Sequence, residues 1–209
     1  MKNRLLLEGY REVGVLGEGA TARVYLCIYE ALNQHRAVKC IDKASQAYEL
    51  AKREAKLLLQ MRFSAIPIIY DIREDEETLY IIEEYMEGES LLSYRRQSQA
   101  LSESTILNIS LQICDIFLYL HSMKIPLLYL DCKPSNFIIH NDEVKLIDFG
   151  SCRWKQSGVF KESYGTKGFA APEQYKKEYL DEITDVYGIG MLLGKVQRLC
   201  GDTPVELFQ

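Results

Sequence analysis

The chain of 209 residues has no apolar run long enough to span a bilayer, no Cys-x-x-Cys pair and no excess of basic charge. Each absence removes a class of function. The N-terminal run Leu5-Leu6-Leu7, behind the basic Met1-Lys2-Asn3-Arg4, falls far short of a signal-peptide core. A cytoplasmic address is therefore expected. A formal net charge of -5 gives no overall electrostatic drive towards nucleic acid or an anionic membrane, leaving only a local basic patch as a route. Cys27, Cys40, Cys114, Cys132, Cys152 and Cys200 are scattered, and His35, His121 and His140 have no metal-ligand spacing beside them. They read as reduced thiols and as structural or surface histidines. Internal repeats and low-complexity segments are also missing. What remains is ordinary globular composition, 47% apolar and 26% charged, enough for one or two compact units.

Three β-rich runs, Tyr10 to Gly17, Ala22 to Glu30 and His35 to Asp42, are separated by Gly-rich or polar turns and predict an antiparallel meander. Ala51, Ala55, Leu58 and Leu59 recur at helical spacing and predict a helix over Ala47 to Gln60. Two further strands are expected at Pro67 to Ile72 and Thr78 to Tyr85, on either side of the acidic turn Glu74-Asp75-Glu76-Glu77. The character changes after Met86-Glu87-Gly88-Glu89. Ser102 offers an N-cap, and Ile106, Ile109, Ile113, Phe117 and Leu120 form one apolar stripe ending near His121. Asp181 to Cys200 reads as another helix. The fold class is α+β, with a small β lobe over residues 1–87 and a mainly helical lobe over 88–209.

Leu128 to Asn136 reads Leu-Tyr-Leu-Asp-Cys-Lys-Pro-Ser-Asn, and after a short apolar hairpin pattern comes Asp148-Phe149-Gly150. Phosphoryl transfer needs a carboxylate to orient the attacking hydroxyl, a cation to offset charge on the migrating group, and oxygen ligands for magnesium. Asp131, Lys133, Asn136 and Asp148 offer those groups in order. The arrangement resembles the catalytic and metal-binding loops of eukaryotic-type protein kinases, and Lys133 two residues after Asp131 is the Ser/Thr-kinase spacing. Other segments carry the resemblance from about Tyr10 to Leu199. Gly17-Glu18-Gly19-Ala20-Thr21-Ala22-Arg23-Val24 resembles the glycine-rich loop that covers ATP phosphates, and Ala37-Val38-Lys39 resembles the strand lysine that bridges the α- and β-phosphates. Glu54 stands where that lysine's carboxylate partner belongs. Gly165-Thr166-Lys167-Gly168-Phe169-Ala170-Ala171-Pro172-Glu173-Gln174 is similar to the end of the activation segment, especially in bacterial Ser/Thr kinases, and Asp185 matches the buried aspartate that holds the catalytic-loop backbone.

The resemblance implies a two-lobed kinase fold with ATP and magnesium between the lobes, manganese being an alternative ion, and transfer to a Ser or Thr hydroxyl of a protein. It assigns Asp131, Lys133, Lys39 and Glu54 to catalysis and Asn136 and Asp148 to the metal. Gly17, Glu18, Gly19, Ala20, Val24, Ala37, Lys39, Glu84 and Met86 are assigned to the nucleotide. Four departures stand out. Ala22 replaces the third glycine of its loop. Tyr129-Leu130-Asp131 replaces His-Arg-Asp; Tyr129 can take over packing beneath Phe149, but Leu130 cannot grip a loop phosphate, so switching by loop phosphorylation is weakened or absent. Glu83 falls at the rear of the adenine pocket, where a carboxylate needs a partner such as Lys39 or water, unless the register differs and it faces solvent. The chain reaches Gln209 without the family's later helices, so the apolar face of the central helix, including Leu192, Leu193 and Val196, is expected to be exposed for self-association or a partner. Two alternative functions remain: a pseudokinase-type nucleotide-binding scaffold, and a small-molecule kinase of the same fold.

Overall fold

Alternation and turn chemistry set the order of elements in the computed structural model, which describes residues 7–18, 22–97, 101–159 and 163–197. The chain forms two compact units, Met1–Met86 and Glu87–Gln209. Together they have the expected α+β character.

The first unit is a five-stranded antiparallel sheet in the order β1-β2-β3-β5-β4. Its strands are β1 (Tyr10–Glu18), β2 (Ala22–Tyr29), β3 (Gln34–Asp42), β4 (Ile69–Glu74) and β5 (Thr78–Glu84), and α1 (Ala47–Leu58) follows β3. Tyr25, Cys27, Val38, Tyr80 and Ile82 pack as a buried cluster, joined at its edge by Leu7, Tyr10 and Cys40. Burial pushes the Cys27 and Cys40 thiols up to about 12, so both behave as apolar side chains at neutral pH. The helix α1 ends two residues before Gln60 because the chain tightens to i→i+3 bonds: Gln60 donates to the Leu57 carbonyl and Met61 to that of Leu58. The strand β4 begins and ends two residues later than Pro67 to Ile72. Pro67 has no N–H to give a ladder, and the turn starts only at Asp75, whose Oδ1 accepts from the amides of Glu77 and Thr78.

The second unit opens with β6 (Glu89–Ser90) and α2 (Leu91–Gln97), a helix absent from the sequence expectation. It is started by Ser90 Oγ, which accepts from the Ser93 amide. Gly88 precedes them at φ +126°, and a Cβ there would lie 2.3 Å from the Ile139 carbonyl oxygen, so only glycine fits. The long helix α3 (Glu103–His121) has the expected cap, Ser102 accepting from the Thr105 amide, and buries Ile109, Ile113, Ile116, Phe117 and Leu120. The short strand β7 (Leu127–Leu128) leads to a 3-10 turn at Pro134–Asn136 and the hairpin β8 (Phe137–His140) and β9 (Glu143–Leu146). Asn141 and Asp142, at φ 48° and 64°, form a two-residue turn whose twist matches the flanking strands. β10 (Arg153–Trp154) pairs with β7, and α4 (Pro172–Lys176) and α5 (Glu182–Gln197) follow.

The expectation for α5 is corrected by its orientation. Leu192 and Val196 are fully buried and Ile189 nearly so, on the arc that also carries the buried Asp185, while Gly188 lets Cys132 approach. The exposed arc is instead Ile183, Val186 and Tyr187, with Ile183 69% exposed. The helix is apolar on both sides, so periodicity alone does not say which side is covered.

Candidate active site

In the first unit, strand register lines up the residues assigned to nucleotide binding. Gly17 lies opposite Val24, Val24 opposite Lys39 and Lys39 opposite Ile81. Directly opposed residues project to one face, so these share it, and Ala37 lies two residues along from Lys39 on the same face. Lys39 Nζ meets Glu54 Oε2 of α1 at 2.6 Å, with Glu54 buried. A charge-assisted bond of that length fixes the ammonium more firmly than a solvated lysine would be. Glu83, opposite Ala37, is on Lys39's face and half-buried rather than turned to solvent. Glu84 points the other way and is tied at the strand end, where its amide donates to the Ile68 carbonyl and its carboxylate accepts from the Ile68 amide. Glu18 pairs with Arg23 at 2.9 Å, Met86 is half-buried at the end of the unit, and Gly19 and Ala20 lie outside the described residues.

In the second unit everything converges on Asp131, which is nearly buried. Lys133 Nζ donates to Asp131 Oδ2 at 2.7 Å, Thr166 Oγ1 donates to Oδ1 at 2.7 Å, and Asn136 Nδ2 donates to the Asp131 carbonyl at 3.0 Å. The carboxylate therefore has a fixed direction and an adjacent cation. Leu130, just before it, sits at φ +65°, a left-handed conformation that costs an ordinary residue roughly 1–2 kcal/mol. That strain is held by Asp185, which is 1% exposed and accepts from the amides of Tyr129 and Leu130, each at 2.8 Å, and from His121 Nε2 at 2.9 Å. Tyr129 packs edge-on against Phe149 and against Phe117, and its hydroxyl donates to the Ile147 carbonyl. Burial pushes the Tyr129 phenol well above its ordinary value, which keeps it a donor, and does the same to the Cys132 thiol, which stays unreactive.

Asn136 and Asp148 flank the base of the β8–β9 hairpin, where Phe137 pairs with Leu146 and the Ile147 amide donates to the Asn136 carbonyl. Asp148 is exposed at φ +65° and its Oδ1 accepts from the Gly150 amide at 3.3 Å. Among the described residues no group of three or more His, Cys, Asp or Glu side chains is set to hold a metal. One carboxylate and one amide oxygen nonetheless fit magnesium, which keeps several waters and takes its remaining ligands from substrate phosphates.

Besides the bond from Thr166 to Asp131, Arg153, Tyr164 and Gln174 support the loop around Asp131 through apolar packing, a cation over a ring and bonds to carbonyls. Leu128, Leu130 and Leu180 form a buried cluster with Tyr164 packed against it. Arg153 lies 4.8 Å from the Tyr164 ring centroid, donates to its hydroxyl, and caps the carbonyls of Gly150 and Cys152. Gln174, 2% exposed, donates through Nε2 to the Leu130 carbonyl and accepts the Ala171 amide. Sequence reading missed Gln174, His121 and Tyr164 as parts of this assembly. His121, ending an apolar stripe that points at the loop, was the only one with a local signal.

A family profile described as protein kinase domain matches residues 10–207. Among curated proteins the chain is 32% identical over 192 residues to the mouse serine/threonine-protein kinase Nek3, a match that covers 90% of this chain and 37% of that one. It is 28% identical to calcium/calmodulin-dependent protein kinase type 1 of Caenorhabditis elegans, covering 97% and 59%, and 31% identical to human serine/threonine-protein kinase ULK1, covering 92% and 19%. The chain spans less than two thirds of the length of each of these relatives.

Proposed function

We propose that this chain, which belongs to the protein kinase family, transfers the γ-phosphoryl of ATP to a Ser or Thr hydroxyl of a protein. The observation that carries the reading is the setting of Asp131, clasped by Lys133 and Thr166, a Ser/Thr-type arrangement. Lys39, held by Glu54, would bind the α- and β-phosphates, and Gly17, Val24 and Ala37 share its face of the sheet. Asp131 accepts a hydrogen bond from the acceptor hydroxyl and aligns its lone pair with the γ-phosphorus. As the new O–P bond forms and the bond to the β-phosphate oxygen breaks, the hydroxyl proton passes towards Asp131 and Lys133 offsets charge on the migrating group. Magnesium bound through Asn136 and Asp148 would neutralise charge on the phosphate oxygens. No helix among the described residues is long and apolar enough to cross a membrane, and the acceptor we propose is a protein. A second copy or a partner docking on α5 would meet Ile183, Val186 and Tyr187.

Activity is set by something other than loop phosphorylation. Leu130 occupies the place of a phosphate-gripping arginine and is committed to the apolar cluster, while Arg153 is already engaged with Tyr164 and two carbonyls. Phosphatase treatment followed by assay on an external protein should change the rate by less than ~10-fold, since Leu130 offers a loop phosphate no charge-assisted bond to lose. A larger drop would mean that Arg153 leaves its present contacts to hold a phosphate. Label transfer from γ-labelled ATP to the chain itself, to a generic basic protein and to no acceptor tests the function: incorporation into either protein supports it, and none refutes it.

A further inference from the structure

We infer that Gln174 is a positioning residue for Asp131, acting through the peptide between Leu130 and Asp131; the inference rests on the phosphotransfer reading only through the role of Asp131. Leu130 is held left-handed from both ends, its amide on Asp185 Oδ1 and its carbonyl on Gln174 Nε2, each at 2.8 Å. That carbonyl belongs to the peptide that enters Asp131, so the glutamine sets the plane from which the carboxylate projects. The other side of the carboxylate is held by Thr166, and here too Gln174 intervenes: its Nε2 lies 3.4 Å from the carbonyl of Tyr164, two residues before Thr166. Gln174 thus closes a ring that runs Leu130, Asp131, Thr166, Gly165, Tyr164 and back.

The orientation of the amide is not ambiguous. Its Oε1 accepts the Ala171 amide at 2.7 Å, which leaves both N–H donors for the two carbonyls. The ring is also closely packed. Gly165 is at φ +86°, and a Cβ there would lie 2.8 Å from both Gln174 Nε2 and the Leu130 carbonyl oxygen. A short α4, begun by Pro172, brings the glutamine in from the side. All of these bonds are internal to the chain, so the expected effect is on the geometry of the reacting carboxylate.

Gln174→Glu keeps the shape and the acceptor for Ala171 but turns an oxygen towards two carbonyls, and Gln174→Met keeps the volume and removes both donors. Each should lower kcat per folded molecule, with the folded fraction read from the melting curve, at least ~10-fold with KM for ATP and acceptor within ~3-fold; counting only folded molecules removes the loss that general destabilisation would cause. Amide exchange at Leu130 and Asp131 should rise ~10-fold in the Met variant, because the opened ring frees that peptide. With an active parent chain, kcat within ~3-fold of the parent in both variants overturns the inference, as does failure of Gln174→Met to fold, which would make the role structural. If the parent itself transfers no phosphate, the phosphotransfer reading falls on its own. Exchange then decides this one: a rise upholds the ring, and unchanged exchange at Leu130 and Asp131 overturns it.

Discussion

Asp131→Asn should lose turnover by ~10² or more while keeping its magnesium-dependent thermal stabilisation by nucleotide, and Asp148→Asn should lose that stabilisation. The two carboxylates are close in sequence but differ in setting. Asp131 is nearly buried and clasped by Lys133, Thr166 and Asn136, so an amide in its place keeps the shape but removes the charge and one of the two oxygens that Lys133 and Thr166 hold, and with them the acceptor that the substrate hydroxyl needs. Asp148 is exposed, left-handed and bonded to the Gly150 amide, a carboxylate turned outward beside Asn136. A melting series with nucleotide, with and without magnesium, beside a transfer assay separates the roles. Unchanged turnover in both variants would leave the chain a nucleotide-binding scaffold.

Asp185→Ala should cost stability on the order of 3–5 kcal/mol, because two buried amides and a largely buried imidazole lose their acceptor. The amides of Tyr129 and Leu130 and the ring nitrogen of His121 all end on this one carboxylate. The loss should not stay local. Leu130 is held left-handed partly by Asp185, so its relaxation would swing the peptide that carries Asp131, and activity should fall more than stability alone explains. For a chain of this size the melting midpoint should drop by roughly 10 °C. A midpoint within ~2 °C of the parent would mean that the donors find other partners and that the strain has another source.

Much of this site is legible in sequence because its spacing is chemistry. Lys39 sits on a strand, Glu54 on the helix after it, and Asp131, Lys133 and Asn136 on one short loop; each lies in a local motif, and the resemblance of those motifs in their order singles the residues out. The Asn141-Asp142 turn is likewise local. Gln174 is different: its partner Leu130 is 44 residues away, and a glutamine after Pro-Glu carries no local sign of a buried donor. The covered side of α5 was unreadable for a related reason. Ile183, Val186, Ile189, Leu192 and Val196 surround the helix with apolar groups, and only tertiary packing chooses between the two sides. The early end of α1 and the late start of β4 followed from i→i+3 bonding and from Pro67, both boundary effects that hydrophobic pattern does not encode.

The most direct test of the central claim is the chemical identity of the phosphorylated residue, read by mass spectrometry of an acceptor protein incubated with ATP and magnesium and either the native chain or Asp131→Asn. The account predicts phosphate on Ser or Thr hydroxyls with the native chain and a loss of ~10² or more in the variant. Phosphate on tyrosine alone, or equal labelling by both proteins, would contradict it.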